Sequence, residues 1–213
     1  MRGKFITFEG PEGSGKSTHV KRLAERLRQA GREVLTTREP GGTPTGEAIR
    51  GLLQHDHAGE PIAPAAELLL FEASRAQLVQ RVIGPALDKG VWVLCDRFSD
   101  STTAYQGYGR GFDVAAIQAI NQFAVQGCEP DLTILLDLEI ASGMDRLARR
   151  NREQNTGRDR FEREDLEFHE RVRAGYLRLA RQWPARIRLV NTMRAPSAVE
   201  ADVWRIVSDV LEP

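Results

Sequence analysis

Gly10-Pro-Glu-Gly-Ser-Gly15-Lys16-Ser17 matches the pattern G-x-x-x-x-G-K-[ST], a loop whose chemistry is the capture of phosphate. Glycines let the backbone curl until successive N–H groups point at one anion, and a helix opening behind the loop adds its positive dipole end. The candidate triphosphate-binding residues are Gly10, Pro11, Glu12, Gly13, Ser14, Gly15, Lys16, Ser17 and Thr18. In such a loop the lysine, here Lys16, reaches the β- and γ-phosphates, and the hydroxyl, here Ser17, ligates Mg²⁺. The pattern carries weight only between a strand and a helix. Phe5–Phe8 is apolar before it, and Lys16–Ala30 after it carries Val20, Leu23, Ala24 and Leu27 on one face. The loop alone implies triphosphate binding and leaves open what is done with it. The N-K-x-D run expected of a GTPase is absent from the sequence.

A second constellation follows the apolar run Val91-Trp-Val-Leu-Cys-Asp96. A strand that delivers a carboxylate beside a phosphate loop suits Asp96 to hold Mg²⁺, directly or through water. Capping of the next helix is the structural alternative. Arg97, next along, suits a bidentate clamp on a phosphoryl group. In Asp96–Gly107, dense in hydrogen-bonding groups, Ser101, Tyr105 and Gln106 share one pocket if a helix starts there. Tyr105 offers a flat ring and Gln106 an amide, a pair suited to a nucleobase or a sugar; a plain polar helix start is the structural alternative.

The segment Pro64–Ile83 has an apolar stripe of Leu68, Phe71, Leu78, Val79 and Val82, and Arg75 falls inside it. A guanidinium there must meet a partner, because an unpaired buried charge is prohibitively costly. A bound phosphate would serve, with Phe71 one turn away as a stacking surface; an internal Arg–Asp bridge would serve too. Arg38, before the tight Pro40-Gly-Gly42 turn, is placed to reach the same phosphate. Asp137 also ends an apolar strand but has no basic residue after it, and reads as structural. His19, His55, His57 and His169 are expected at the surface.

Positioning these groups requires a particular scaffold. Lys4–Glu9, Glu33–Thr37, Val91–Asp96, Leu132–Leu138 and Ile187–Asn191 are near-continuously apolar, as strands of a parallel sheet covered on both faces are. Between them Lys16–Ala30, Pro64–Ile83, Val114–Val125, Ile140–Arg150, Arg163–Trp183 and Ser197–Leu211 have helical periodicity. The alternation predicts an α/β three-layer sandwich with a five-stranded parallel sheet, in one domain spanning 1–213. Arg146–Arg163 is arginine-rich and poor in aliphatics; it reads as a solvated helix turn or a mobile lid. Lys+Arg and Asp+Glu are 30 each, so no overall field draws nucleic acid or an anionic membrane, and phosphate recognition must be local. Cys95 and Cys128 suit reduced thiols, and the apolar start is too short for a signal core or a membrane span. A soluble, cytoplasmic protein is expected.

Four ordered motifs resemble those of the thymidylate kinase family: Phe8-Glu-Gly-Pro-Glu-Gly-Ser-Gly-Lys-Ser-Thr18, Thr37-Arg-Glu-Pro-Gly-Gly-Thr43, Ala73-Ser-Arg75, and Asp96-Arg-Phe with Ser101-x-x-x-Tyr-Gln106. The resemblance covers nearly the whole chain. It implies the P-loop nucleoside monophosphate kinase fold, transfer of the γ-phosphoryl group of ATP to dTMP to give dTDP, a requirement for Mg²⁺ held near Ser17 and Asp96, and a homodimer. It further implies Arg38, Arg75 and Arg97 on the dTMP phosphate, Phe71 stacked on thymine, Arg75 also touching the base, and Ser101, Tyr105 and Gln106 around the nucleoside. Glu12 would lie near the sugar hydroxyl, and Lys16, Arg97 and Glu12 would act in catalysis. Some members carry a catalytic arginine after that acid; Gly13 stands there in this chain. The resemblance is therefore to the bacterial subclass with the arginine in the lid, for which Arg149, Arg150, Arg152 and Arg158 are candidates. The alternatives are another nucleotide or deoxynucleoside kinase, or a non-catalytic ATP-dependent switch.

Overall fold

A computed structural model describes residues 2–55 and 59–211, with side chains to residue 209. His57 lies outside the described residues. Five strands form one sheet: β1 (Phe5–Glu9), β2 (Val34–Arg38), β3 (Trp92–Asp96), β4 (Leu132–Asp137) and β5 (Ile187–Asn191), in the order β2-β3-β1-β4-β5. Every pairing is parallel. All five residues of β1 are buried, whereas the edge strands β2 and β5 are partly open to solvent, as position in a covered sheet dictates.

Helices cover both faces. On one side α1 (Lys16–Gln29) and α9 (Pro196–Leu211) pack Leu23, Leu27, Val203 and Val207 against Ile6, Phe8, Leu94 and Ile134. The opposite face carries α3 (Pro64–Leu78), a π-helical turn at Val79–Ile83, α4 (Gly84–Asp88) and α6 (Val114–Val125), closing over Phe5, Val93 and Cys95. There too α5 (Ser99–Thr102), a π-helical stretch at Thr103–Gly109 and α8 (Leu166–Gln182) enclose Tyr105, Phe168, Val172 and Tyr176. The expected three-layer α/β sandwich is present.

The helical pattern over Pro64–Ile83 leaves α geometry at Leu78 for the π turn. Beyond the short α4, two elements were not expected. One is α2 (Pro44–Gln54), which Thr43 opens by accepting Gly46 N–H at 3.0 Å, with Pro44 at the first position. The other is the π-helical stretch at Thr103–Gly109. In the strongly polar segment, α7 (Ile140–Gln154) runs past Arg150, and Asn155 ends it in the left-handed conformation. That segment does bury groups, against the composition: Asn151, Phe161 and Glu162 are buried. Phe161 does so by packing on Phe71 and Tyr105 rather than within its own segment.

Strand order brings the chemistry together. Phe8 pairs with Asp96, and Asp96 with Arg38, so the carboxyl ends of β1, β3 and β2 form one edge. Ligands of open parallel sheets bind outside that edge.

Candidate functional site

A cavity of about 510 Å³ lies over this edge. Its floor is the loop between β1 and α1. Lys16 is buried there, its Nζ donating to the carbonyls of Gly10 at 3.0 Å and Pro11 at 2.9 Å. Burial and the nearby Arg97 pull its pKa down to about 8. Gly13 has φ +73°, and a Cβ there would stand 2.3 Å from the Gly143 carbonyl oxygen. A Cβ on Gly143 would in turn stand 2.4 Å from the Glu12 carbonyl. The first turns of α7 and the loop thus meet backbone to backbone, which leaves position 13 no room for an arginine.

Arg97 sits just beyond β3 with φ +70°, a left-handed conformation uncommon for a side-chain-bearing residue. Its Nη2 donates to Glu12 Oε1 at 2.6 Å and to the Tyr105 hydroxyl at 3.1 Å, while Nη1 reaches Gly10 O at 3.1 Å and the Tyr176 hydroxyl at 3.2 Å. Burial alone would raise the Glu12 carboxyl, yet Arg97, Lys16 and the Tyr105 hydroxyl outweigh it and hold the pKa at about 2. Behind them Glu9, fully buried at the end of β1, accepts from Phe98 N at 2.7 Å, Ser101 Oγ at 2.6 Å and the Tyr176 hydroxyl at 2.9 Å. Burial, reinforced by Asp100, pushes Glu9 up to about 7. Glu9 thus ties down the turn that carries Arg97, a task its place in an apolar strand gave no sign of.

Ser17 hydrogen-bonds Asp96 Oδ2 at the mouth of the loop, so Asp96 faces the phosphate side and is not spent on capping a helix. A hydroxyl and a carboxylate, both hard oxygen donors, fit Mg²⁺, which takes one or two protein ligands and completes its shell with water and phosphate. Among the described residues no group of three or more His, Cys, Asp or Glu forms a metal cage.

The far wall comprises Phe71, Ser101, Thr102, Tyr105 and Gln106, with Arg38 and Arg50 at the rim. Phe71 and Phe161 pack tilted at 5.6 Å, and Tyr105 meets Phe161 edge-on at 6.0 Å. Arg38 pairs with Glu47 at 3.0 Å while half-exposed. Thr102, Glu39, Arg50 and Phe161 also line the cavity; none was a candidate from sequence. Asp137, as expected, is structural, bound by Arg173 at 2.8 Å.

Three expectations need correction. Arg75 does have partners, but they are internal: Glu39 Oε2 at 2.7 Å, Glu72, Asn121 at 2.9 Å and Thr102 at 3.0 Å. It is 1% exposed and stands behind Glu39 and Thr102 rather than in the cavity wall, so a phosphate is not what neutralises it. Of the lid arginines, Arg149, Arg152 and Arg158 are exposed and do not line the cavity. Arg146 and Arg150 do, Arg150 held by Glu162 at 2.9 Å. For Arg149 and Arg152 the reason is helical phase: α7 continues through Gln154, and only positions one turn apart share its inner face; Arg158 lies beyond the end of that helix. Finally, His19 and His169 are buried, and burial pushes both imidazoles down.

The thymidylate kinase profile matches residues 8–203. The chain is 49% identical over 212 residues to a thymidylate kinase of Pelotomaculum thermopropionicum, covering 100% of this chain and 96% of the relative. It is 51% identical over 209 residues to one from Nitratidesulfovibrio vulgaris, covering 97% of each. The crystal structure of thymidylate kinase from Ehrlichia chaffeensis superposes with a TM-score of 0.78 at 33% identity, over 98% of this chain and 99% of that one.

Proposed function

For a chain that belongs to the thymidylate kinase family, and which therefore phosphorylates dTMP to dTDP with ATP, we propose that both substrates meet in the one cavity over the sheet edge. The carrying observation is that a phosphate loop and an aromatic, amide-bearing wall face each other across it, with Arg97 between them. The loop amides and Lys16 hold the β- and γ-phosphates of ATP. Arg97 and Arg38 take the dTMP phosphate, Phe71 stacks on thymine, and Ser101, Tyr105 and Gln106 surround the nucleoside. Glu12, ionised across the physiological range, orients Arg97 and accepts from the sugar hydroxyl. Arg75 acts from behind by fixing Glu39 and Thr102.

A dTMP phosphate oxygen attacks the γ-phosphorus while the bond to the β,γ-bridging oxygen breaks, leaving ADP. The acceptor oxygen is already anionic, so no general base is needed. Catalysis consists of aligning two anions and offsetting their repulsion. Mg²⁺, which Ser17 and Asp96 would hold, supplies charge neutralisation along the triphosphate. Arg146 and Arg150, facing the γ-phosphate end, supply the lid charge in place of Arg149, Arg152 and Arg158.

The described residues work as one domain, in the cytoplasm; no described helix is long and apolar enough to cross a membrane. A homodimer is supported by the exposed apolar face of α3 and α6, where Leu69 is 59% and Phe123 82% exposed. The test of function is ADP release across dTMP, dUMP, dCMP, AMP and thymidine. Preferential turnover of dTMP is expected. Turnover no greater with dTMP than with the others would refute the substrate assignment, and ATP binding with no acceptor-stimulated turnover would favour a switch.

A further inference from the structure

Glu67 lies in the first turn of α3 and is 1% exposed. A carboxylate so deeply buried needs donors on its oxygens. Its Oε1 accepts from Gln106 Nε2 at 2.7 Å and Arg110 Nε at 3.3 Å. Its Oε2 stands 2.6 Å from Arg160 Nη1 and 3.2 Å from Arg110 Nη2. Arg110 also holds Glu164 at 2.5 Å. One buried carboxylate therefore joins the cavity wall to the segment that follows α7.

The chemistry at Gln106 follows from what Glu67 can do. Carboxylate oxygens accept and a side-chain amide has one end of each kind, so the nitrogen end must face Glu67. The carbonyl end of Gln106 is left for the cavity that this residue lines. An acceptor there matches a pyrimidine whose ring nitrogen carries a hydrogen, as the imide N3–H of thymine does. Cytosine presents a lone pair at N3 and is repelled.

We propose that Glu67 is a positioning residue that sets pyrimidine specificity at the acceptor site by fixing the orientation of the Gln106 amide. The inference rests on the dTMP assignment above and extends it. The device separates imide bases from cytosine and does not separate thymine from uracil.

The test is Glu67→Gln, assayed with saturating ATP and either dTMP or dCMP. A neutral amide at 67 both donates and accepts, so the Gln106 amide is free to turn. The expected result is a fall of about 10-fold or more in the ratio of kcat/KM for dTMP to that for dCMP, the loss of one hydrogen bond's discrimination. The fall is expected mainly through the dTMP KM, with the ATP KM unchanged. A purely structural carboxylate would lower both activities together, and an unchanged ratio overturns the proposal. A second measurement needs no variant: N3-methyl-dTMP is expected to bind the wild-type enzyme about 10-fold or more weaker than dTMP, and equal binding overturns the orientation. Wild-type enzyme that does not prefer dTMP over dCMP refutes the substrate assignment itself. A wild-type preference that Glu67→Gln leaves intact refutes only the role of Glu67.

Discussion

Replacing Arg75 by Met removes a guanidinium while keeping most of its volume. Its two carboxylate partners, Glu39 and Glu72, are 4% and 6% exposed at their side chains, and each already has one oxygen without a partner, Glu39 Oε1 and Glu72 Oε2. Without the cation, two buried acids confront each other. Breaking a buried pair from one side costs about 3–5 kcal/mol. For a protein of this size that corresponds to a fall in Tm of roughly 6–20 °C. The loss depends on pH, with a sign set by Glu39. Burial pushes that carboxyl up from 4.5 to about 7 even with Arg75 opposing it. A raised pKa means that the folded protein binds the proton more tightly, so this group's contribution is full at low pH and declines as pH rises from about 4.5 to 7. With Arg75 gone the pKa rises further and the decline continues above 7. Thermal unfolding of both proteins at pH 5.5 and pH 8 should therefore show the larger gap at pH 8, and adding Glu39→Gln to the variant should close part of it. A gap of less than 2 °C at pH 8, or one equal at both values, would refute the account of Arg75 as an internally neutralised charge.

Three further outcomes are expected. Gly13→Ala places a Cβ 2.3 Å from the Gly143 carbonyl at φ +73°; the backbone alone costs about 1–3 kcal/mol, and calorimetry should show ATP binding at least tenfold weaker. Arg150→Ala should lower kcat by about 100-fold in steady-state assays, whereas Arg152→Ala, outside the cavity, should stay within about twofold; the reverse ranking would return the lid charge to Arg152. Free Lys16, depressed to about 8, loses its proton above that value, so the ATP Kd measured by titration should climb from pH 8 to 9.5 and be flat in Lys16→Met.

The parts of the fold that sequence makes legible are those where one local rule decides. The strand Ile187–Asn191 and the helix Val114–Val125 have the expected ends because an apolar run and the Asp113 cap mark them. The phosphate loop is legible because its glycines have one geometric use. Where long-range partners decide, sequence falls short. Arg75 in an apolar stripe announces that a partner exists, but Glu39 is 36 residues away and no spacing rule connects them. Glu9 and Glu67 look like ordinary acids until the fold surrounds them with donors. In the polar segment after α7, composition hid Phe161, whose burial depends on Phe71 and Tyr105 from other elements.

The glycine-to-glycine approach of residues 13 and 143 also constrains what this enzyme can become. A side chain at either position would push α7 off the loop, and with it Arg146 and Arg150, which line the cavity. An arginine grafted onto position 13 would therefore displace the helix whose two arginines reach the cavity instead of adding to them. In this packing an arginine at position 13 and the seat of α7 on the loop exclude each other.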